Sequence, residues 1–260
     1  MTNAFLIGLL LLGSVMILLA LLFKPRKKLK NQPVPLPADY RELLTENVSF
    51  YNRLNENEKL NFEARLQHFL STTRITGIKT TVEAIDKILI GASAIIPIYA
   101  FPNWEYINLR EVLLYPETFG ENFETEGGDR VVMGMVGNGP MQQVMILSKH
   151  ALRQGFSNKT DKANTAIHEF VHLVDKTDGD VDGVPEVLMQ HQYVLPWLDL
   201  AHKNIKEIMK NNSDINPYGA TNQAEFLAVA AEYFFERPDL LKKKHPELYS
   251  MLEKMFGKIN

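Results

Sequence analysis

His168-Glu169-Phe170-Val171-His172 lies inside a run of helical apolar spacing that extends from Ala163 to Val174. On an α-helix, positions i and i+4 share one face, so both imidazoles can reach the same point in space. This spacing suits two nitrogens that bind one zinc ion at roughly 2.0–2.1 Å each. Glu169 follows the first histidine, where its carboxylate can take a proton from an attacking water. The pentapeptide therefore predicts two metal ligands and a general base on one helix.

The alternative is an ordinary helix that carries two surface histidines. The neighbouring side chains argue against it, because they form the wide apolar stripe of a buried helix: Ile167, Phe170, Val171, Leu173 and Val174. Unpaired polar groups are costly to bury, so His, Glu and His on such a helix need partners. A metal ion would satisfy both imidazoles at once.

The composition restricts what could complete the site. No cysteine occurs among the 260 residues, which excludes thiolate-held metals, disulfides and cysteine nucleophiles. The formal net charge is −3, and a basic cluster near the N-terminus leaves the rest of the chain more acidic than that. A general nucleic-acid binder would show a basic face, so no nucleic-acid partner is expected.

Ala4 to Phe23 is an uncharged apolar segment of 20 residues. It is long enough to cross a hydrocarbon core of about 30 Å as a helix. A cleaved signal peptide is the alternative, but no Lys or Arg precedes the run and no small-residue cleavage site follows it. Basic residues do follow it: Lys24, Arg26, Lys27, Lys28 and Lys30. By the positive-inside rule, the sequence predicts a single-pass protein of the inner or plasma membrane with residues 24–260 in the cytoplasm.

Three segments divide the chain: a transmembrane anchor over 1–23, a basic and Pro-rich linker over 24–38, and a domain over 39–260. Periodicity and capping residues predict the elements of the domain. Helices are expected over 39–55, 57–72, 81–94, 163–174, 184–211, about 221–236 and 238–256, and strands over 112–115, 130–135 and 144–147. A strong turn signal at 137–140 predicts a hairpin just ahead of the motif helix. The expected fold is α+β, mainly helical with a small sheet.

A third metal ligand must come from outside the pentapeptide, since catalytic zinc has three protein ligands and an open position. Asp175, one turn beyond His172, is better suited to accept a hydrogen bond from a ligand imidazole, or to start the following loop. Glu225 is better placed as the ligand, because it lies on a separate predicted helix among apolar neighbours. Glu232 lies two turns later on the same face. It either accepts a hydrogen bond from a metal-binding side chain or faces solvent.

The segment Asp178 to Gly183 matches the first half of a calcium-binding loop, D-x-D-x-D-G. The twelfth position of such a loop requires a bidentate Glu, and Met189 stands there. The favoured interpretation is a turn that follows the motif helix, with calcium binding at Asp178, Asp180 and Asp182 as the alternative.

Two segments carry a resemblance to a known family: HEFVHLVDKTDGDVDG at 168–183 and NPYGATNQAEFLAVAAEYFFERP at 216–238. They resemble the signature blocks of the Mlc titration factor A family of zinc metallopeptidases, whose metal centre is similar to that of the anthrax lethal factor catalytic domain. The resemblance covers about residues 40–258 and implies a zincin-like domain. It also implies His168, His172 and Glu225 as zinc ligands, Glu169 as base, and Tyr218, seven residues before Glu225, as a donor to the oxyanion.

Two functions of different classes follow. The first is a zinc-dependent peptidase on the cytoplasmic face of the membrane, with a peptide or protein as substrate. The second is a membrane-tethered protein that binds a cytoplasmic regulatory protein, such as a transcription factor, and whose zinc site is not catalytic. Intact ligand, base and donor positions favour the peptidase.

Overall fold

The computed structural model describes residues 35–117, 134–136, 143–158 and 161–258. The α-helices in these ranges are α1 (Tyr40–Asn47), α2 (Ser49–Asn52), α3 (Glu56–Thr72), α4 (Ala84–Ile95), α5 (Lys149–Ser157), α6 (Thr165–Asp175), α7 (Val194–Met209), α8 (Gln223–Glu236), α9 (Pro238–Lys244) and α10 (Pro246–Phe256). The strands are β1 (Arg74–Gly77), β2 (Glu111–Tyr115), β3 (Gly134–Val136) and β4 (Val144–Ser148). The α+β class with a small sheet is thus confirmed.

The predicted membrane anchor, Ala4 to Phe23, and the basic cluster after it lie outside the described residues. None of the helices within the described ranges is long and apolar enough to cross a membrane. The anchor and the cytoplasmic orientation therefore stay predictions.

The sheet has the order β1-β2-β4-β3. Its first three strands are parallel, and β3 pairs antiparallel with β4, with Met135 opposite Ile146. The antiparallel pair is the pairing expected of the predicted hairpin, whereas the predicted turn at 137–140 and residues 130–133 of the predicted strand lie outside the described residues. Among the strands in the described ranges, β3 is outermost on its side of the sheet, and it lies against α6. The sheet therefore presents a strand edge beside the helix that carries the motif.

α6 forms because its ends and its faces suit a buried helix. Asn164 caps it, since the side-chain oxygen accepts a hydrogen bond from the backbone N–H of Ile167 at 3.2 Å. The apolar stripe is completely buried: Ala166, Ile167, Phe170, Val171 and Val174 are 0% exposed. α6 packs against α8, α4 and α5. The motif helix thus lies in the core of the domain.

Three predicted helices are shorter or divided in the structure. The predicted helix 39–55 is divided into α1 and α2 at Val48, whose backbone is extended (φ −109°, ψ +94°) and whose side chain is buried in the core. α7 begins at Val194 rather than at Val184, because the backbone is non-helical at Pro185 (ψ +80°), Met189 (ψ +133°) and Gln190 (ψ +135°), and the residues between form two 3₁₀ turns, 186–188 and 191–193. The predicted helix 238–256 is divided at His245, because Pro246 lacks an N–H and disfavours the α conformation in the residue before it. β1 and α5 were not predicted.

Candidate metal centre

The two histidines of the motif converge at one side of α6. Their Nε2 atoms are 3.1 Å apart. The rings are nearly perpendicular, with centroids 4.7 Å apart. Each imidazole therefore directs the same nitrogen toward a common point.

Glu225 reaches this point from a separate helix. It lies in the first turn of α8, where its backbone N–H donates to the capping side chain of Asn222 at 2.9 Å. Its Oε2 is 2.9 Å from Nε2 of His168 and 3.4 Å from Nε2 of His172. Among the described residues, these three form the group whose candidate ligand atoms lie close enough together to hold a metal ion.

The spacing of the three atoms suits zinc. Tetrahedral zinc with bonds of about 2.0–2.1 Å places neighbouring ligand atoms about 3.3 Å apart. The separations of 2.9, 3.1 and 3.4 Å lie within a few tenths of an ångström of that value. Two imidazole nitrogens and one carboxylate oxygen are also donors typical of catalytic zinc. The residues present therefore fit the metal.

Glu232 holds His168 from the opposite side of the ring. Its Oε1 is 2.7 Å from Nδ1 of His168, so Nδ1 can donate and Nε2 keeps its lone pair for a metal. Its Oε2 accepts a hydrogen bond from the backbone N–H of Asn164. Glu232 is buried, so it is not the solvent-facing residue that was its alternative. Its carboxylate fixes the orientation and the tautomer of a ligand ring.

The charges around the histidines stabilise a cation. Burial lowers the pKa of His168, but hydrogen bonds to Glu225 and Glu232 outweigh burial and raise that pKa to about 10. Burial raises the pKa of Glu225, but hydrogen bonds to His168 and His172 outweigh it and lower that pKa to about 2. The carboxylates of Glu225 and Glu232 stabilise a positive charge at His168. A proton and a metal ion are both positive, so the same carboxylates would stabilise either one.

Glu169 lies buried beside the convergence point. Its carboxylate is close enough to the histidines for their charges to act on it. Burial raises its pKa above the ordinary value, although His168 and His172 oppose the rise. A carboxylate whose pKa is closer to neutrality is a better proton acceptor and donor near pH 7.

Tyr218 approaches from the 3₁₀ turn Pro217–Ala220. Asn216 shapes this turn, because its side chain accepts from the backbone N–H of Tyr218 at 3.0 Å. The centroid of the Tyr218 ring is 5.9 Å from that of His168. Burial, and then the charges of Glu225 and Glu169, raise the pKa of Tyr218. Its hydroxyl is thus a protonated donor at neutral pH, close to two acidic groups of the site.

Asp175 ends α6 and is completely buried. Its Oδ2 accepts from the backbone N–H of Gly183 at 2.9 Å, so its observed partner is the following loop rather than a ligand imidazole. Burial raises its pKa to about 7. Its Oδ1 and Nδ1 of His172 are both buried without a hydrogen-bond partner among the described residues. Support of His172 by Asp175 stays a prediction.

Gly183, in the loop after α6, packs against the start of α8, the helix that carries Glu225. Its φ is +82°, a conformation that other residues rarely adopt. A Cβ at this position would lie only 2.4 Å from the backbone oxygen of Gln223, two residues before Glu225. The Gly183 oxygen also accepts from Nε1 of Trp197 at 2.6 Å. The loop after α6 is therefore in direct contact with the start of α8.

In the loop Asp178 to Gly183, two carboxylates accept hydrogen bonds from backbone N–H groups. Asp178 accepts from the N–H groups of Asp180 and Glu186, at 3.4 and 3.3 Å. Asp182 accepts from the N–H of Val184 at 2.9 Å. These contacts support the interpretation as a turn that follows the motif helix.

Two residues next to the site, Asn164 and Glu236, were not predicted from the sequence. The side-chain amide of Asn164 donates to Glu236 at 2.9 Å, which extends the polar chain that begins at His168 and Glu232. Burial raises the pKa of Glu236 to about 7. Two signals could have found them: Asn164 is a helix-capping type just before an apolar run, and Glu236 lies one turn after Glu232 on the same face.

Replacing Glu232 by Gln should weaken zinc binding by about 10–100-fold. Both oxygens of Glu232 accept hydrogen bonds, so the Gln amide would direct its NH₂ against a donor from His168 or Asn164. Competition with a chromophoric chelator measures the affinity, and Glu207→Gln, an exposed glutamate that pairs with Lys210, is the control. Native zinc affinity in Glu232→Gln would contradict this role.

Two comparisons with known proteins gave matches, one with a protein-family model and one with curated relatives. A family model described as glucose-regulated metallo-peptidase M90 matches residues 22–257. An uncharacterized protein of Synechocystis sp. is 28% identical over 235 residues, which cover 85% of this chain and 84% of that protein. Mlc titration factor A of Escherichia fergusonii is 26% identical over 225 residues, 81% of this chain and 83% of that protein. Mlc titration factor A of Pectobacterium atrosepticum is 29% identical over 160 residues, 56% of this chain and 58% of that protein.

Proposed function

The chain belongs to the glucose-regulated metallo-peptidase M90 family, and from that premise we propose that it is a zinc-dependent peptidase that hydrolyses peptide bonds. The resemblance to the Mlc titration factor A family is confirmed by the relatives of that name. One observation carries the proposal: Nε2 of His168, Nε2 of His172 and Oε2 of Glu225 converge beside the buried carboxylate of Glu169.

The residues divide the chemistry among them. A zinc ion held by the three ligands would polarise the scissile carbonyl and would lower the pKa of a water molecule at the site to near neutrality. Glu169 takes the proton of the attacking water and later gives a proton to the leaving amine. Tyr218 donates a hydrogen bond to the oxygen on which negative charge develops. Glu232 keeps the Nε2 of His168 directed toward the site.

An extended peptide is the substrate that suits the surroundings of the site. Among the described strands, β3 lies at the edge of the sheet beside α6, and an edge strand offers unpaired N–H and C=O groups to a further strand. A peptide paired with β3 would lie along the helix that carries Glu169. Main-chain pairing of this kind binds many sequences, so selectivity must come from pockets for side chains.

Metal removal tests the proposal. The purified full-length protein should contain about one zinc ion per chain, the number that a single three-ligand site holds. Chelation should abolish hydrolysis of a peptide mixture, and added zinc should restore it. A native protein that takes up no zinc, even after reloading, would refute the function. Zinc uptake without hydrolysis, together with strong binding of a cytoplasmic protein, would favour the regulator-binding alternative.

We also propose that this domain is tethered to the cytoplasmic face of the membrane by Ala4 to Phe23. The support is the uncharged 20-residue run and the basic cluster that follows it. Placing arginine at both Leu11 and Leu12 should cost about 2.5–3.5 kcal/mol of insertion each and move the protein from the membrane to the supernatant. Leu60→Arg, at an exposed position of the domain, is the control. A native protein found entirely in the supernatant would refute the tether.

A further inference from the structure

A cavity lies beside the C-terminal end of α6. Its volume is about 240 Å³. One wall comes from the segment before β2, with Trp104, Tyr106 and Ile107, and the other comes from Leu173 and Thr177 of the motif helix and the turn after it. The cavity therefore shares an element with the metal centre but none of its ligands.

The helix places this cavity next to the general base. Positions i and i+4 of an α-helix share one face, and Glu169 and Leu173 stand at these positions of α6, while Lys176 begins the turn that follows it. Leu173 and Lys176 line the cavity. It begins one turn from Glu169, about 6 Å along the helix axis. A substrate held between the metal ligands and Glu169 would thus extend a neighbouring side chain toward it.

The aromatic wall is fixed in place. The hydroxyl of Tyr106 donates to the backbone oxygen of Ala94 at 2.8 Å. The Tyr106 ring contacts Phe170 of α6 edge-on, with centroids 5.2 Å apart. Trp104 in turn packs edge-on against Tyr106 at 4.6 Å. A wall formed before binding costs little ordering entropy when a ligand enters.

The size and lining of the cavity define its ligand. Pockets for complete small ligands measure about 300–1,000 Å³, so this smaller cavity suits a single side chain. Most of its surface is apolar, and polar side chains also line it: Glu105, Asn108, Gln143, Lys176 and Thr177. Glu105 pairs with His68, and the amides of Asn108 and Gln143 can contact a peptide backbone. Ile107 extends the apolar surface outward and is 79% exposed.

We propose that this cavity is a substrate subsite that binds a bulky apolar side chain, aromatic or of leucine size, next to the scissile bond. The inference rests on the proposed peptidase function and adds its side-chain selectivity. The sheet edge then binds the backbone of the substrate, and this cavity selects the residue.

Paired peptides test the subsite. Blocked peptides that differ only by Phe or Ala, placed in turn on each side of the scissile bond, are compared by kcat/KM with the full-length protein. At one of these positions Phe should be preferred by about tenfold or more. Thr177→Phe places a large side chain from an exposed position into the cavity. Ile107→Ala removes apolar surface at the cavity entrance. Each substitution should therefore reduce the preference for Phe. Met209→Ala, which truncates a 65% exposed apolar side chain outside the cavity, should retain it.

Tryptophan fluorescence measures binding independently of catalysis. The chain has two tryptophans, and Trp197 is 0% exposed, so a change in emission on binding reports Trp104. In the Glu169→Gln variant, the Phe peptide should change the emission at a lower concentration than the Ala peptide. Thr177→Phe added to that variant should remove the difference.

The two measurements separate the two hypotheses. Hydrolysis with equal kcat/KM for Phe and Ala at every position, and no change in emission, would overturn the subsite and leave the peptidase intact. A selective change in emission without any hydrolysis would support the subsite and refute the peptidase. Preference for Phe that persists in both Thr177→Phe and Ile107→Ala would also overturn the subsite.

Discussion

Glu169→Gln should retain zinc and lose about 10²–10⁴-fold in kcat, the contribution of a positioned general acid–base group. The substitution preserves the size of the side chain and removes only its ability to take a proton. Glu169 is not among the three converging ligands, so the affinity for zinc should change little. Peptide hydrolysis under saturating substrate and zinc content by atomic absorption give the two quantities.

The controls for Glu169→Gln separate chemistry from folding. The variant should unfold near the temperature of the native protein, because Gln avoids burying a charge where Glu169 is 7% exposed. Tyr218→Phe removes only a hydroxyl, and about a 10²-fold loss in kcat with unchanged zinc affinity would support its role as donor to the oxyanion. A Glu169→Gln protein with native kcat would show that Glu169 is not the general base.

Glu225→Ala should abolish stable zinc binding, and hydrolysis should be lost with the metal. Loss of a residue that only supports a ligand costs about 10–100-fold in affinity, and loss of the ligand itself should cost more. Two imidazoles from one helix would then be the remaining protein ligands of the group. Zinc content after gel filtration is the first measurement.

Thermal unfolding gives a second measurement for Glu225→Ala that needs no substrate. A ligand at about 1,000 times its Kd stabilises the folded state by about 4.1 kcal/mol, so zinc should raise the Tm of the native protein. The same zinc concentration should leave the Tm of the variant unchanged. Glu207→Ala, an exposed glutamate of α7, is the control and should respond like the native protein. A Glu225→Ala protein that still binds one zinc ion tightly would exclude Glu225 as a ligand.

The local parts of the site are those that the sequence can predict. His168, Glu169 and His172 lie within five residues, so helical periodicity alone determines which face they share. Glu225 stands 53 positions after His172, and no periodicity connects the two helices. Its assignment needed an argument about buried charge, and the role of Tyr218 came from the family resemblance alone.

The parts that were missed depend on contacts between distant segments. β1 has four residues and too little periodicity to detect, and its place in the sheet depends on pairing with β2, 37 residues later. The hydrogen bond from Asn164 to Glu236 joins positions 72 residues apart. The late start of α7 at Val194 was missed because the apolar pattern after Gly183 does not reveal the non-helical backbone at Pro185, Met189 and Gln190.

Gly183 makes the metal centre vulnerable at a residue that has no functional group. Every substitution there adds at least a Cβ, and that atom would meet the backbone of Gln223 and Ala224 rather than a side chain that can rotate away. Relief requires the start of α8 to move, and Glu225 would move with it. Ligand atoms of zinc sites lie within about 0.2 Å of the usual bond lengths, so a displaced Glu225 would no longer suit the metal. In a scan of all substitutions, position 183 would therefore tolerate as few replacements as His168 and Glu225. Loss of activity at this glycine would indicate loss of the candidate metal site, as loss of activity at its candidate ligands would.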